Sequence, residues 1–368
     1  MSLASIYYIF IGAVFASILL LDIRGLFTRQ KRSNAANGSQ KEKVLVILPI
    51  KGNDIKQREN FESLKNQRYR NYRILAVADS HTDSAVNVAK SVGIDVAIAR
   101  GPWKRSSGKS RAIAYALSKF ENYDIFVIAD SDIKVKNDWL AKLIAPLLDK
   151  KILVSTTFPK FIPINGGFWS YAKEVWGLVG ESLLESRITR FGWGGSLAFR
   201  RELADSRLIH LLTDSKYSLS DDISITKRAK EKQGMIEYVK EAAPVVYVRE
   251  TFDTFMEWAN RQTTFTLLGY RKNLYFGIAY YSAEIILFAS GVIGSIFVGP
   301  AFAILLLHFG ISEAKTCIRL YGNSKSSNDI FNVVAIVAIM PFIYLYNLIK
   351  ASKMREIQWR GRIYRLAN

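Results

Sequence analysis

The residues best suited to chemistry in this chain are acids that come in pairs. Asp130-Ser131-Asp132 follows Ile125 to Ala129, an apolar run that reads as a buried strand. Two carboxylates one residue apart, just past a strand's carboxyl end, lie where ligands collect in open α/β sheets. Such a pair suits a hard divalent cation that keeps waters and grips substrate phosphates. A second cluster, Asp79-Ser-His-Thr-Asp83, ends the apolar run Tyr72 to Ala78, and a third, Asp221-Asp222, opens a helical stretch. Asp-x-Asp is also common in turns, and Asp is favoured at helix starts. For Asp221-Asp222 the alternative to capping is a general base that removes a hydroxyl proton during in-line attack. Two strand-end acidic clusters reaching one cleft favour chemistry over capping.

Basic and small residues accompany the acids. Gly101 to Arg111 sets Gly108, Lys109 and Arg111 beside the start of a helix, Ser110 to Phe120. A helix N-terminus with a flexible glycine favours anions, although the same cations would equally form a solvated face. The spacing from Gly101 to Gly108 is too long for a Walker loop. Phe191-Gly-Trp-Gly-Gly-Ser196 reads as a small-residue turn into the strand Leu197 to Arg200, with tight backbone packing as the plain alternative.

Alternating strands and helices must position these groups. Lys43–Pro49, Tyr72–Ala78, Ile94–Ile98 and Ile125–Ala129 have strand character. Asn60–Gln67, Ser84–Val92, Ser110–Phe120 and Ile223–Lys232 have helical spacing. Continuous apolar strands interleaved with helices predict βαβ units, an α/β fold with a mostly parallel sheet, over residues 43–250.

The chain has 368 residues, a formal net charge of +19 and 49% hydrophobic residues. A non-enzymatic basic membrane protein binding anionic lipid, or a nucleic-acid binder, fits that charge. Three acidic clusters at matched strand and helix ends do not, because they repel polyanions, and no nucleic-acid partner is expected. Leu3 to Leu21 is uncharged and long enough for a bilayer core of about 20 residues. Lacking a basic leading segment, it reads as a retained anchor, 1–23. Arg24, Arg29, Lys31 and Arg32 in a basic linker, 24–42, mark the cytoplasmic side. Phe252 to Tyr270 reads as an amphipathic interfacial helix, 251–272.

Two further apolar runs, Leu274 to Leu307 and Ile330 to Ile349, give transmembrane or re-entrant helices over 273–350. Gly291, Gly294 and Gly299-Pro300 offer a bend that splits the first run into a hairpin. Three full crossings would put Lys350, Lys353, Arg355, Arg360, Arg362 and Arg365 outside, against the positive-inside rule. Either one segment is re-entrant or interfacial, or the long run crosses once, and the basic tail 351–368 is expected in the cytoplasm. Glu284 inside the apolar run is costly in lipid, so it is functional, near the interface or turned to protein. Cys317, the single cysteine, excludes an internal disulfide and a thiolate metal cluster.

Ile47 to Gly52 (ILPIKG), Asn66-Gln67 before Tyr72, Asp79, Asp130-Ser-Asp132, Gly194-Gly195-Ser196, Asp221-Asp222, Arg261-Gln262 and Trp359-Arg360-Gly361 occur in a specific order and spacing. In these the chain resembles the family 2-type inverting glycosyltransferases of Rossmann-like, GT-A nucleotide-sugar-binding fold. Among them it is similar to the membrane-anchored ceramide glucosyltransferase-like branch. The match covers about Lys43 to Phe265 and Ile357 to Leu366.

The resemblance implies roles. Asp79 contacts the nucleotide base. Asp132 ligates a divalent metal, manganese or magnesium, that offsets leaving-group charge, and Asp130 lies near the ribose or a metal-bound water. Lys109 lies near the donor, and Gly195 with its turn lines the acceptor side, where Trp193 offers an apolar face. Asp222 is the general base, and Asp221 raises its pKa through like-charge repulsion. Arg261 and Gln262 pair with diphosphate or order the acceptor site. Trp359 and Arg360 sit on a tail that returns to the nucleotide site.

One departure stands out: Thr264-Phe265 occupies positions where the family usually has Arg-Trp, which weakens any claim of processive polymer synthesis. The implied activity is transfer of a hexose, glucose from UDP-glucose, to a membrane lipid hydroxyl or lipid-linked acceptor. A polyisoprenyl-phosphate glycosyltransferase and a short polysaccharide synthase are the alternatives. The implied location is a multi-pass membrane protein with a cytoplasmic catalytic domain.

Overall fold

The computed structural model describes residues 3–27, 41–99, 106–164, 166–321 and 327–366. Most of the expected linker 24–42, and residues 101–105 of the basic loop, lie outside the described residues. The chain divides into two compact units. A sheet unit comprises Arg32–Ile164, Gly177–Val248 and Met354–Asn368. A helical unit comprises Met1–Lys31, Asn165–Trp176 and Arg249–Lys353. The expected block 43–250 thus cedes a short internal stretch to the helices, and the expected tail belongs with the sheet.

Helix α1 (Leu3–Phe27) precedes the sheet unit, which opens with β1 (Val44–Pro49), α2 (Gln57–Lys65), β2 (Tyr72–Ala78) and α3 (Ser84–Val92). It continues through β3 (Asp95–Ile98), α4 (Gly108–Lys119) and β4 (Ile125–Ala129). These elements lie within a few residues of the sequence reading, the ordinary scatter of element ends. There follow β5 (Ile133–Lys134), α5 (Trp139–Ile144), β6 (Ile152–Thr156), β7 (Lys160–Pro163) and α6 (Phe168–Glu185). The rest is β8 (Ser196–Arg200), α7 (Ser206–Thr213), α8 (Asp221–Glu231), β9 (Met235–Tyr238) and β10 (Val245–Val248).

The main sheet has the order β3-β2-β1-β4-β8-β6-β9. Neighbours β3–β2, β2–β1, β1–β4 and β6–β9 run parallel, so the sheet is mostly parallel, as expected. Strand β8 runs antiparallel to both β4 and β6, an insertion that local patterning does not reveal. The central strands are apolar throughout because both faces are covered. Leu45, Ile47, Phe126, Ile128, Leu197 and Phe199 pack with Ile113 and Leu117 of α4 and Ile225 of α8. Each such side chain, fully buried, contributes about 1.5–3 kcal/mol. Helix α3 is capped by the Asp83 carboxylate, which accepts from Ala85 N–H, and closed by Gly93 at φ 76°, a left-handed position suited to glycine. Asp83 is therefore the structural member of its acidic cluster.

In the helical unit, α9 (Phe252–Gly269) begins with a capping box formed by Thr251 and Thr254. Helices α10 (Lys272–Phe297), α11 (Leu307–Tyr321) and α12 (Ser327–Lys353) follow. Segments Lys272–Phe297, Pro300–Leu320 and Asp329–Lys353 are long and apolar enough to cross a membrane. Helix α10 continues through Gly291 and Gly294, so these glycines do not interrupt it. A Cβ at Gly291 would fall 2.6 Å from Leu306, and one at Gly294 2.2 Å from Phe302, so their role is close packing. The break comes at Gly299-Pro300, where a 3₁₀ turn (Pro300–Leu306) begins. Beyond α12 the chain ends in a hairpin of β11 (Glu356–Trp359) and β12 (Arg362–Arg365) within the sheet unit.

Candidate active site

Parallel pairing of β1, β2 and β4 puts Lys51, Asp79 and Asp130 at one edge of the sheet, where their strands end. Because β8 is antiparallel, its first residue, Ser196, pairs with Ala129, the last of β4. The glycine turn before β8 therefore reaches the same edge. Asp130 N–H donates to the Gly195 carbonyl at 3.0 Å, so Gly195 fixes the backbone of Asp130. Trp139 Nε1 donates to Ser196 Oγ at 2.9 Å, pinning the turn from below.

Lys109 joins four elements at one point. Its ammonium, at the start of α4 and with a side chain only 12% exposed, lies 2.6 Å from Asp130 Oδ1 and 3.4 Å from Asp221 Oδ2. It also donates to the Gly194 carbonyl at 3.1 Å. A Cβ on Gly194 would come 2.4 Å from Asp221 Oδ2 and 3.1 Å from the ammonium, so the close approach requires glycine there. Burial disfavours the charge on Lys109, but Asp130 and Asp221 outweigh it and hold the lysine above its ordinary range.

Helix α8 starts at this centre. Burial pushes Asp221 up to about 7, reinforced by Asp222 and Asp130 and opposed by Lys109. Asp221 Oδ2 is buried without a hydrogen-bond partner among the described residues, and Lys109 supplies its compensating charge. Asp222 Oδ1 accepts from the Ser220 hydroxyl and from Ile223 N–H. Burial is the leading cause that raises the Asp222 pKa, with Ser220, Lys109 and the Ile223 amide pulling the other way. Desolvation leads for Asp222, with Asp130 the like charge that adds to it, and the repulsion within the acid pair acts on Asp221 instead.

Around Asp79 the balance reverses. Lys51 approaches at 3.7 Å, Arg111 at 3.2 Å and Arg362 at 3.0 Å. Nearby, Asp54 accepts from Ser131 Oγ at 2.5 Å and from Arg360 at 2.7 Å, and Arg360 also donates to the Lys51 carbonyl at 2.6 Å. Arg360 and Gly361 form the two-residue loop of the hairpin, with φ of 51° and 73°. Two positive values describe a type I′ turn, which a non-glycine first residue enters at some strain. Burial disfavours the Arg360 charge, but Asp54, then Asp132 and Asp130, sustain it.

The structure thus gathers Asp79, Lys109, Asp130, Gly195, Asp221, Asp222 and Arg360 at one sheet edge, with half-buried Asp132 on the Asp130 loop. Trp359 lies in the hairpin beside Tyr364, ring centroids 6.4 Å apart. Arg261 and Gln262 are on α9 in the helical unit, where Arg261 lies 3.9 Å from Glu257 on the same helix. Lys51, Asp54 and Arg362 join the site without having been singled out by sequence as members of it. Lys51 and Asp54 follow the carboxyl end of β1, a position that could have marked them. Arg362 and Tyr364 alternate on one strand after a turn signal, which could have marked one face of a hairpin.

Among the described residues no group of three or more His, Cys, Asp or Glu is placed to hold a metal ion by itself. Asp132 and Asp130 offer hard oxygen donors one residue apart. One or two carboxylates completed by substrate phosphate oxygens is a donor set that manganese or magnesium accepts. The residues therefore fit a metal shared with a diphosphate.

The sequence profile of glycosyl transferase family 21 matches residues 4–368. No curated protein matches the sequence significantly. Among solved structures, a mannosyltransferase from Pyrobaculum calidifontis, in complex with GDP-Man and Mn2+, is 17% identical with a TM-score of 0.58. The likeness covers 92% of this chain and 94% of that one, and it establishes the fold alone. Glucosyl-3-phosphoglycerate synthase from Mycobacterium tuberculosis is 16% identical over 65% of this chain and 85% of its own, with a TM-score of 0.43, too low to carry an inference.

Proposed function

The chain belongs to glycosyltransferase family 21, the ceramide glucosyltransferase family, and from that premise we propose that this glycosyltransferase is membrane-bound and inverting, moving glucose from UDP-glucose onto a lipid hydroxyl. The observation that carries the reading is the Lys109 centre. It ties a strand-end acid of the donor side, Asp130, to the acid pair Asp221-Asp222. Asp222 takes the proton from the acceptor hydroxyl, whose oxygen bonds to the anomeric carbon from the face opposite the leaving group. The bond from that carbon to the diphosphate oxygen breaks, the configuration inverts, and the nucleoside diphosphate leaves. Asp79 receives the base, and Asp132 would help hold a divalent cation shared with the diphosphate. When bound, that cation offsets charge on the departing diphosphate.

The tail supports a cytoplasmic site. It is bonded to Lys51 and Asp54 of the catalytic sheet, so the two lie on one side of any bilayer. An even number of full crossings must then separate Val248 from Met354, and three candidate spans lie between them. We assign two crossings and one re-entrant or interfacial segment. Pro300–Leu320 is the least apolar of the three and carries Glu313, Lys315 and Arg319, so it is the non-crossing one. The basic residues after α1 and in the tail favour the cytoplasmic side.

The test is product identity. Purified full-length protein with manganese, labelled UDP-glucose and extracted membrane lipids should yield one labelled glycolipid. A labelled polyisoprenyl phosphate or a water-soluble polymer would replace this acceptor with one of the alternatives, and absence of transfer from every nucleotide sugar tried would overturn the reading.

A further inference from the structure

Asp79 is a single carboxylate faced by three cations. Lys51 Nζ lies 3.7 Å from Oδ2, Arg111 Nη2 3.2 Å from Oδ1 and Arg362 Nη2 3.0 Å from Oδ2. None of the three has another ion-pair partner among the described residues. One negative charge against three positive leaves an excess of two where the side chains are only 18–36% exposed. Partly desolvated like charges repel, and an anion is the natural complement. The Arg111 Nε adds a second observation: it is buried with no hydrogen-bond partner among the described residues.

The cation excess continues toward the start of α4. Gly108 N–H, first of this helix, meets only the Tyr364 hydroxyl among the described residues, at a long 3.4 Å. A Cβ on Gly108 would lie 3.5 Å from Arg362 Nη1 and 3.5 Å from Asp79 Oδ2, so the guanidinium and the carboxylate both reach the helix start. The hairpin turns one face to this edge. Arg362 and Tyr364 are half-buried, whereas Ile363 and Arg365, on the other face, are exposed.

We infer that Arg362 is a donor-binding residue that grips the diphosphate of a nucleoside diphosphate sugar from the C-terminal hairpin, while keeping one edge of its guanidinium on Asp79. The planar fork has donors on two edges, so it can hold a carboxylate and a phosphate oxygen at once. Tyr364 anchors the hairpin so that the fork stays in place. The inference rests on the reading that Asp79 is at the donor's base. It also supplies a guanidinium for the diphosphate in a chain that has Thr264 and Phe265 where an arginine and a tryptophan were expected.

Equilibrium binding separates this role from a merely structural one. The probes are uridine and guanosine diphosphates and the matching nucleosides, titrated with manganese into the purified full-length chain in detergent. Wild type should bind one diphosphate more tightly than its nucleoside. Arg362→Gln should weaken that diphosphate about tenfold or more, as expected for a lost charged hydrogen bond, and leave the nucleoside within about twofold. Arg362→Lys, which keeps the charge and loses the fork, should fall between, and Arg365→Gln should change neither. Equal weakening of diphosphate and nucleoside by Arg362→Gln and Arg362→Lys would reduce Arg362 to a structural role and overturn the inference, as would no weakening. Failure of wild type to prefer any diphosphate over its nucleoside would instead overturn the donor reading itself, and the inference with it.

Discussion

The Lys109 centre and the Asp79 centre lie on one sheet edge and are built on opposite principles. Around Lys109, one buried ammonium serves two carboxylates and a carbonyl, with Asp222 close by, so acid is in excess. Around Asp79, one carboxylate serves three cations, so base is in excess. A proton acceptor needs carboxylates whose charge is costly, and burial among like charges provides that. A seat for a polyanionic leaving group needs uncompensated cations and donors, and these must remain accessible. On the proposed reading, the first centre has its charges balanced within the protein, whereas the second is completed by the donor.

The largest effect should come from breaking the first centre at its base. Asp222→Asn keeps the shape and the contact to Ser220 but cannot take a proton. Turnover should fall by about a thousandfold with donor affinity nearly unchanged, measured by steady-state kinetics on both substrates. A loss confined to donor affinity would move Asp222 to the other side of the comparison.

Lys109→Met should come next, because it leaves the buried Asp221 and the half-buried Asp130 without their compensating charge. Breaking such a buried arrangement costs about 3–5 kcal/mol, read as a lower melting temperature in detergent. The pH behaviour gives the sign. Folding raises Asp221 from its ordinary 3.8 to about 7, so its contribution to stability is complete below 3.8 and is lost as pH rises through about 7. Activity should run the other way and fall with acid, since the base must be ionised, with its acid limb above the ordinary aspartate range. Lysine 109 lowers both aspartates, so its loss should move that limb to still higher pH. An unmoved limb in a folded variant would remove Lys109 from the proton-accepting centre.

The mildest change probes the second centre. Arg360→Asn retains a side chain suited to the first position of a type I′ turn and removes the guanidinium from Asp54 and Lys51. The hairpin should persist while donor KM rises about threefold to tenfold. A larger effect on kcat than on KM would show that the two centres are not separable.

Much of the architecture was legible because it is written locally. Alternating apolar runs and helical spacing located β1 to β4 and their helices, and acids at the ends of β2 and β4 followed directly from a parallel sheet. The glycine turn before β8 was visible as a turn, yet its partner was not, since nothing in Ser196 to Arg200 records that this strand runs antiparallel beside β4. Gly291 and Gly294 looked like a bend and serve close packing, because a glycine's neighbours in space are absent from its neighbours in sequence.

The sequence by itself determined the residue types of the site, the fold class, the family and the apolar segments, all properties of short windows or of their order along the chain. Only the tertiary structure decided which charges meet. The sequence separations of 256 from Gly108 to Tyr364 and 309 from Lys51 to Arg360 are closed by sheet order and hairpin placement rather than by any local pattern. Desolvation is likewise a tertiary quantity. It is burial that raises the pKa of Asp221 and Asp222 beside Lys109, and partial exposure that leaves the three cations around Asp79 open to solvent.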